Sequence, residues 1–208
     1  MTVAKARVRA KVCGITSPED AQLACRAGAD AIGVIFHAKS PRNVTLAQAR
    51  EIKSALPPFV VCVAVVRNAT VELVSEIVSQ LNPDFLQFHG DESGDFCRQF
   101  GRPYIKAVPM GAAVSVNAFA EEFNDASALL LDSHGGGAEA GKGKTFDWNA
   151  VPEHSSLPLI LAGGLHAENV AAGIAAVKPY AVDVASGVES TPGRKDAARI
   201  QAFFKGIY

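Results

Sequence analysis

Cys13 and Asp132 are the two residues whose chemistry first asks for an explanation, because each closes an apolar run, in VRAKVC and ALLLD respectively. A free thiol, with an ordinary pKa of about 8.5, becomes a base when a nearby cation favours the thiolate. Period-two alternation puts Lys11 on the same side of the strand as Cys13 and one layer deeper, which makes it a candidate for that cation. The other reading of Lys11, which the inward parity of Asp183 on the last apolar run favours, is a buried structural partner of that carboxylate. A carboxylate at the end of ALLLD is costly unless it is paired, solvated or protonated, and an apolar setting raises its pKa as a general acid near neutral pH requires. Capping a loop or helix is the other explanation for Asp132.

Further polar residues finish other apolar runs. Arg42, in the Ser40, Pro41, Arg42 sequence after the second run, offers a planar fork suited to a carboxylate. His89 ends the fourth run, where it can stack on or hydrogen-bond a ligand or serve as a structural histidine. Gly163 and Gly164 in LAGGL, and Ser186 and Gly187 in ASGVE, end the last two runs. Glycine lets backbone amides approach a ligand closely, and amides near helix N-termini bind phosphate without a side-chain cation. The combined chemistry is acid and base work on a small phosphorylated molecule.

Eight strand-length apolar runs must position these groups: VRAKVC, DAIGVIF, FVVCVAVV, DFLQFH, YIKAV, ALLLD, LPLILAGG and YAVDVAS. Helical segments separate them, among them PEDAQLACRAG, LAQAREIKSAL, VELVSEIVSQL, HAENVAAGIAAV and DAARIQAFF. Ser17 before Pro18 caps and opens the first helix and Gly28 closes it, while Thr70 and Glu72 open another. Nearly continuous apolar strands joined by helices predict a parallel sheet covered on its outer face. Eight such units most economically close into a single (βα)8 TIM barrel of class α/β, residues 1–208, with an open doubly wound sheet as the competing fold. In such a barrel the site forms at the carboxyl ends of the strands, and the loops after strands seven and eight commonly hold phosphate. The glycine-rich SHGGGAEAGKGKTFDW after the sixth run is either a gate over the site or a connector.

Composition narrows the partners. The 20 Lys and Arg nearly cancel the 21 Asp and Glu, so no broad field exists to hold nucleic acid or an anionic membrane, and an anionic ligand must be held locally. The N-terminal MTVAKARVRA is followed by no apolar run long enough for a secretory or membrane-spanning segment, which makes the cytoplasm the expected location. Cys13, Cys25, Cys62 and Cys97 form no C-x-x-C pair, so reduced thiols are expected, with Cys25, Cys62 and Cys97 acting as small hydrophobes.

KVCGIT, GVIF with SPRNV, QFHG, LLLDS, KTFDW, LAGGL with NV, and DVASGVE occur in one order over nearly the whole chain, and in this the sequence resembles the phosphoribosylanthranilate isomerase family. The resemblance implies a (βα)8 barrel carrying out the third step of tryptophan biosynthesis. The reaction is an Amadori rearrangement of N-(5-phosphoribosyl)anthranilate to 1-(2-carboxyphenylamino)-1-deoxyribulose 5-phosphate, with no cofactor or metal. Cys13 is then the base, Asp132 the acid and Arg42 the partner of the anthranilate carboxylate, with His89 also at the substrate. The amides around Gly163, Gly164, Ser186 and Gly187 become the phosphate site. One departure stands in the loop after strand six, where the family's usual GGTG is replaced by Ala140, Gly141, Lys142 and Gly143. The oligomeric state is left as monomer or homodimer.

Two alternatives remain at this point. A related barrel acting on another sugar phosphate, such as an epimerase or aminoaldose isomerase, would share the phosphate site, but metal-dependent epimerases need histidine and carboxylate ligands at several strand ends. A phosphate-binding barrel without turnover would keep Cys13 and Asp132 for structural reasons. A covalent Cys–His hydrolase lacks an accompanying oxyanion-hole pattern.

Overall fold

The computed structural model describes residues 7–112, 114–133 and 145–208, and the middle of the loop after the sixth strand, with its Ala140 to Gly143 departure, lies outside the described residues. Eight parallel strands close into a barrel in chain order: β1 (Arg9–Cys13), β2 (Ala31–Phe36), β3 (Val61–Val66), β4 (Phe85–Phe88), β5 (Tyr104–Pro109), β6 (Ala128–Asp132), β7 (Leu159–Leu161) and β8 (Ala181–Val184). Every expected apolar run supplies one strand, and the strands close into the expected ring, not the competing open sheet. Closure pairs β1 with β8 and sets Lys11 opposite Asp183, as inward parity on both strands requires.

The helices on the outside are α1 (Pro18–Ala27), α2 (Leu46–Ser54), α3 (Val71–Leu81), α4 (Gly94–Arg98), α5 (Val116–Glu122), α6 (Val170–Val177) and α7 (Ala197–Ile207). Their ends follow local chemistry. Ser17 accepts from the Asp20 amide while Gly28 adopts a left-handed conformation behind α1, and Thr70 accepts from the Leu73 amide ahead of α3. One face of each long helix is buried, such as Val74, Ile77 and Leu81 of α3, against the outward residues of the strands. Alternate strand residues, among them Val63, Val65, Ile105, Ala107, Leu130 and Ile160, fill the barrel interior. The site therefore rests on two dry layers, one inside the ring and one around it.

Three local differences from the sequence reading have physical causes. The third strand starts at Val61, because Phe59 takes a left-handed backbone conformation and is fully exposed. The helix after β7 starts at Val170 instead of near His166: the Asn169 side chain accepts from the His166 amide and donates to the Gly164 carbonyl, folding a turn first. After β8 the chain makes a short 3-10 turn (Ser186–Val188) and a two-stranded hairpin, β9 (Glu189–Thr191) and β10 (Arg194–Lys195), before α7. In the described end of the loop after β6, Asp147 caps a 3-10 turn and Trp148 packs beside Gly173 of α6, so this part of the loop is anchored.

Candidate active site

The carboxyl ends of the strands surround a cavity of about 490 Å³, lined by Cys13, Arg42, His89, Asp132, Gly163, Gly164 and Ser186 among others. Seven of the eight residues singled out from sequence thus meet in one place. Gly187 does not line it: a Cβ there would lie 2.0 Å from the Leu165 carbonyl, so its lack of a side chain serves the packing of the β8 turn on the β7 turn. Of the expected phosphate positions, Gly163, Gly164 and Ser186 remain at the cavity.

Cys13 is buried at the end of β1 beside Gly33 of β2, its register partner, where an added Cβ would lie 2.7 Å from the thiol. Lys11 donates to Asp183 at 2.9 Å, with both side chains almost wholly buried, and its charge also acts on the Cys13 thiol. The two readings of Lys11 are therefore both realised. Their balance differs from the sequence expectation of an activated thiolate. Burial pushes the Cys13 thiol up, and the opposing cations Lys11 and Lys195 do not outweigh that burial and the Asp183 carboxylate.

Asp132 ends β6 inside the ring, and its surroundings are more polar than ALLLD suggested. Oδ1 accepts from the Ser133 amide at 2.8 Å, and Oδ2 lies 2.9 Å from His89 Nε2. The Gln87 amide nitrogen reaches His89 Nδ1 at 2.9 Å from two residues earlier on the same inward face of β4. When Gln87 donates to Nδ1, Nε2 carries the ring proton and donates to Asp132. His89 is thus the carboxylate's direct partner instead of an isolated stacking platform. Gly163, at φ 76, brings the end of β7 against this group, for a Cβ on it would lie 2.5 Å from the Ser133 amide nitrogen and 2.9 Å from Asp132 Oδ1. A side chain there is excluded by both backbone and space.

Arg42 reaches the mouth by lying across Gly14, where an added Cβ would lie 2.4 Å from Arg42 Cδ. The planar fork expected of Arg42 is partly occupied by a carboxylate of the chain itself. Nε and Nη2 donate to the two oxygens of Glu189 at 2.7 and 2.6 Å, so one edge of the guanidinium is already taken. Lys195, buried beneath, donates to the same carboxylate. Sequence reasoning did not single out Glu189, Lys195 or Gln87, nor the cavity-lining His37, Lys39 and Arg67. Only Gln87 had a usable signal, its parity with His89. Lys39, Arg42 and Arg67 give the mouth local positive charge that the near-neutral chain as a whole lacks. His37 feels it, since burial and then Arg67 and Lys39 hold its pKa below the ordinary value.

Among the described residues, no group of three or more His, Cys, Asp and Glu side chains is placed to hold a metal ion, and no helix is long and apolar enough to cross a membrane. Residues 10–206 match the family model for N-(5'phosphoribosyl)anthranilate (PRA) isomerase. An N-(5'-phosphoribosyl)anthranilate isomerase of Pseudomonas fluorescens is 52% identical over 200 residues, covering 96% of this chain and 95% of the relative. A crystal structure from Thermotoga maritima, described as monomers of a dimeric phosphoribosylanthranilate isomerase, superposes with a TM-score of 0.82 at 37% identity over 96% of this chain and 98% of that one. A phosphoribosylanthranilate isomerase in complex with reduced 1-(o-carboxyphenylamino)-1-deoxyribulose 5-phosphate superposes with a TM-score of 0.78 at 36% identity, over the same shares.

Proposed function

Because this chain belongs to the N-(5'-phosphoribosyl)anthranilate isomerase family, we propose that Cys13 and Asp132 are the base and acid with which it isomerises its substrate. The chain is an isomerase of tryptophan biosynthesis, converting N-(5'-phosphoribosyl)anthranilate to 1-(2-carboxyphenylamino)-1-deoxyribulose 5-phosphate. One observation carries the assignment of roles: β1 and β6 deliver a thiol and a carboxylic acid into a single cavity that also holds the glycine turns after β7 and the Ser186 turn after β8.

Protonated Asp132 donates its proton to the furanose ring oxygen, the bond from C1′ to that oxygen breaks, and the anthranilate nitrogen lone pair forms an iminium with C1′. The proton on C2′ is now acidic. Cys13 as thiolate takes it, the electron pair neutralises the iminium, and the resulting enolamine tautomerises to the ketone. Asp132 regains its proton from solvent at the cavity mouth, while His89, at Asp132 Oδ2, holds the carboxyl in place. No step calls on a metal or cofactor.

The ligand of the solved relative carries a phosphate and an aromatic carboxylate at opposite ends. In this chain the amides of Gly163, Gly164 and Ser186 suit the phosphate, and Arg42 suits the carboxylate. The steric demand at Gly187 supports a supporting place for it behind that turn. A single catalytic domain over residues 1–208, acting in the cytoplasm on a small phosphorylated substrate, completes the reading. The dimeric relative from Thermotoga maritima supports a homodimer over a monomer, which sedimentation velocity decides.

Turnover by Cys13→Ser and Asp132→Asn tests the roles. Each should lose at least about 10²- to 10⁴-fold in kcat, the range of acid–base contributions, while still binding the reduced product analogue. Near-normal turnover by either variant sinks its assignment.

A further inference from the structure

Arg42 and the strand end carrying Cys13 hang from one buried cluster. Lys195 Nζ donates to the main-chain oxygens of Cys13 at 2.7 Å and Ala185 at 3.0 Å, and to Glu189 Oε1 at 2.9 Å. These contacts use all three donors of the ammonium group. Glu189 in turn accepts both bonds from Arg42. The cluster is built by the β9–β10 hairpin, which the main chain secures twice: Thr16 Oγ1 donates to the Gly193 carbonyl at 2.6 Å, and the Lys195 amide donates to Asp20 of α1 at 3.0 Å.

The pairing leaves a specific edge of Arg42 unused. A guanidinium has five N–H donors. Glu189 takes the side edge, Nε with one hydrogen of Nη2, whereas Nη1 makes no hydrogen bond among the described residues and Arg42 lines the cavity. Burial alone would raise the Glu189 carboxyl, but Arg42 and Lys195 outweigh it and hold Glu189 below the usual carboxylate range. Arg42, Glu189 and Lys195 together retain one positive charge next to the cavity.

We propose that Glu189 is a positioning residue for recognition of the substrate's carboxylate: by gripping the side edge of Arg42, it aims the end-on edge, Nη1 with Nη2, at that group. The proposal rests on the reading of Arg42 as the carboxylate's partner. Arg42 crosses Gly14 on a flexible stem, so without Glu189 its terminal torsions must be ordered by the ligand itself. Lys195 makes the grip rigid, since it ties Glu189 to the ends of β1 and β8.

The test is the affinity ratio of two inhibitors, the reduced product analogue and its phenyl counterpart lacking only the carboxylate, measured by calorimetry. In the unmodified enzyme the carboxylate strengthens binding, and Arg42→Ala removes that advantage. Glu189→Gln, which keeps the shape of the side chain, should narrow the ratio by about tenfold, the upper range for immobilising one flexible side chain. In the Arg42→Ala background it should leave the ratio unchanged. A general collapse of the site would weaken both inhibitors together, so the ratio separates positioning from mere structure. Should Glu189→Gln fail to fold, Glu189→Asp keeps a charge for Lys195 while shortening the reach to Arg42, and its ratio should narrow likewise. An unchanged or widened ratio in the foldable Glu189 variant, with Arg42→Ala still abolishing the advantage, overturns the positioning role. An unaltered ratio in Arg42→Ala overturns instead the reading of Arg42 on which the proposal stands.

Discussion

Gly33→Ala should disable the proposed base without touching it. Gly33 lies in ordinary strand backbone of β2, so alanine meets no conformational penalty and the perturbation is purely one of space. The added Cβ would lie 2.7 Å from Cys13 Sγ and 3.1 Å from Lys11 Cε and Nζ. Ordinary contact starts at 3.4 Å, so the thiol has to retreat by about 0.7 Å. A misplacement approaching 1 Å at a reacting group costs up to about 10²-fold, so kcat should fall about 10- to 100-fold. Overpacking of this kind also costs about 1–3 kcal/mol, and at this chain length each kcal/mol lowers Tm by about 2–4 °C. KM should move little, because Arg42 and the glycine turns after β7 stand on other elements. The loss of substrate fluorescence reports turnover, and scanning calorimetry reports Tm. Turnover within about twofold of the unmodified enzyme, together with a lowered Tm, would show the methyl group crowding a thiol that takes no part in the reaction.

Two further expectations concern buried charge. Lys11→Met leaves Asp183 without its buried cation, which should cost about 3–5 kcal/mol in a denaturant titration. Because Lys11 is the foremost influence lowering the Cys13 pKa, the ionisation of Cys13 seen in the pH profile of kcat/KM should also move to higher pH, and an unmoved profile would deny Cys13 its role there. The second expectation follows from Cys62 and Cys97, whose thiols burial pushes up to about 12 from an unfolded value of 9.0. A raised thiol pKa means that the folded state holds the proton more tightly, so this stability is fully present below about pH 9 and lost as pH rises toward 12. Urea midpoints should fall between pH 9 and 11 and fall less steeply in Cys62→Ala and Cys97→Ala; identical slopes would exclude these thiols as the cause.

The barrel was legible because its strands are short, nearly continuous apolar runs, and because their polar endings all fall at one mouth. Parity and ring closure together were enough to pair Lys11 with Asp183, two residues far apart in sequence whose strands become neighbours when β8 meets β1. Neither rule reaches across the ring. His89, directly after β4, and Asp132 at the end of β6 are two strands apart, and the contact between them depends on side-chain direction inside the barrel, which alternation does not encode. Arg42 and Glu189 are 147 positions apart and meet through loops. The hairpin that carries Lys195 is too short to leave a hydrophobic period, and so are α4 and α5. The sequence likewise shows Gly14 and Gly33 as glycines without showing what fills the space beside them, an arginine stem in one case and the thiol with Lys11 in the other.

The resting state of Cys13 bears on the order of the proposed steps. Burial is the largest influence on the thiol and pushes its pKa up, with Asp183 adding to that effect and Lys11 and Lys195 opposing it. A permanently ionised thiolate would need these cations to prevail, and the nearer of them, Lys11, spends much of its charge on Asp183 at 2.9 Å. What the free site lacks, the proposed reaction supplies: with Asp132 as the acid, ring opening creates an iminium next to the carbon that Cys13, as the base, would deprotonate. A new positive charge beside the thiol favours the thiolate, and its proton can leave for water at the mouth. The acid step on β6 therefore prepares the base step on β1. Deprotonation at C2′ before the ring opens would ask a buried thiol to ionise against its surroundings while the C–H bond was not yet acidic, so the proposed roles place the acid step on β6 before the base step on β1.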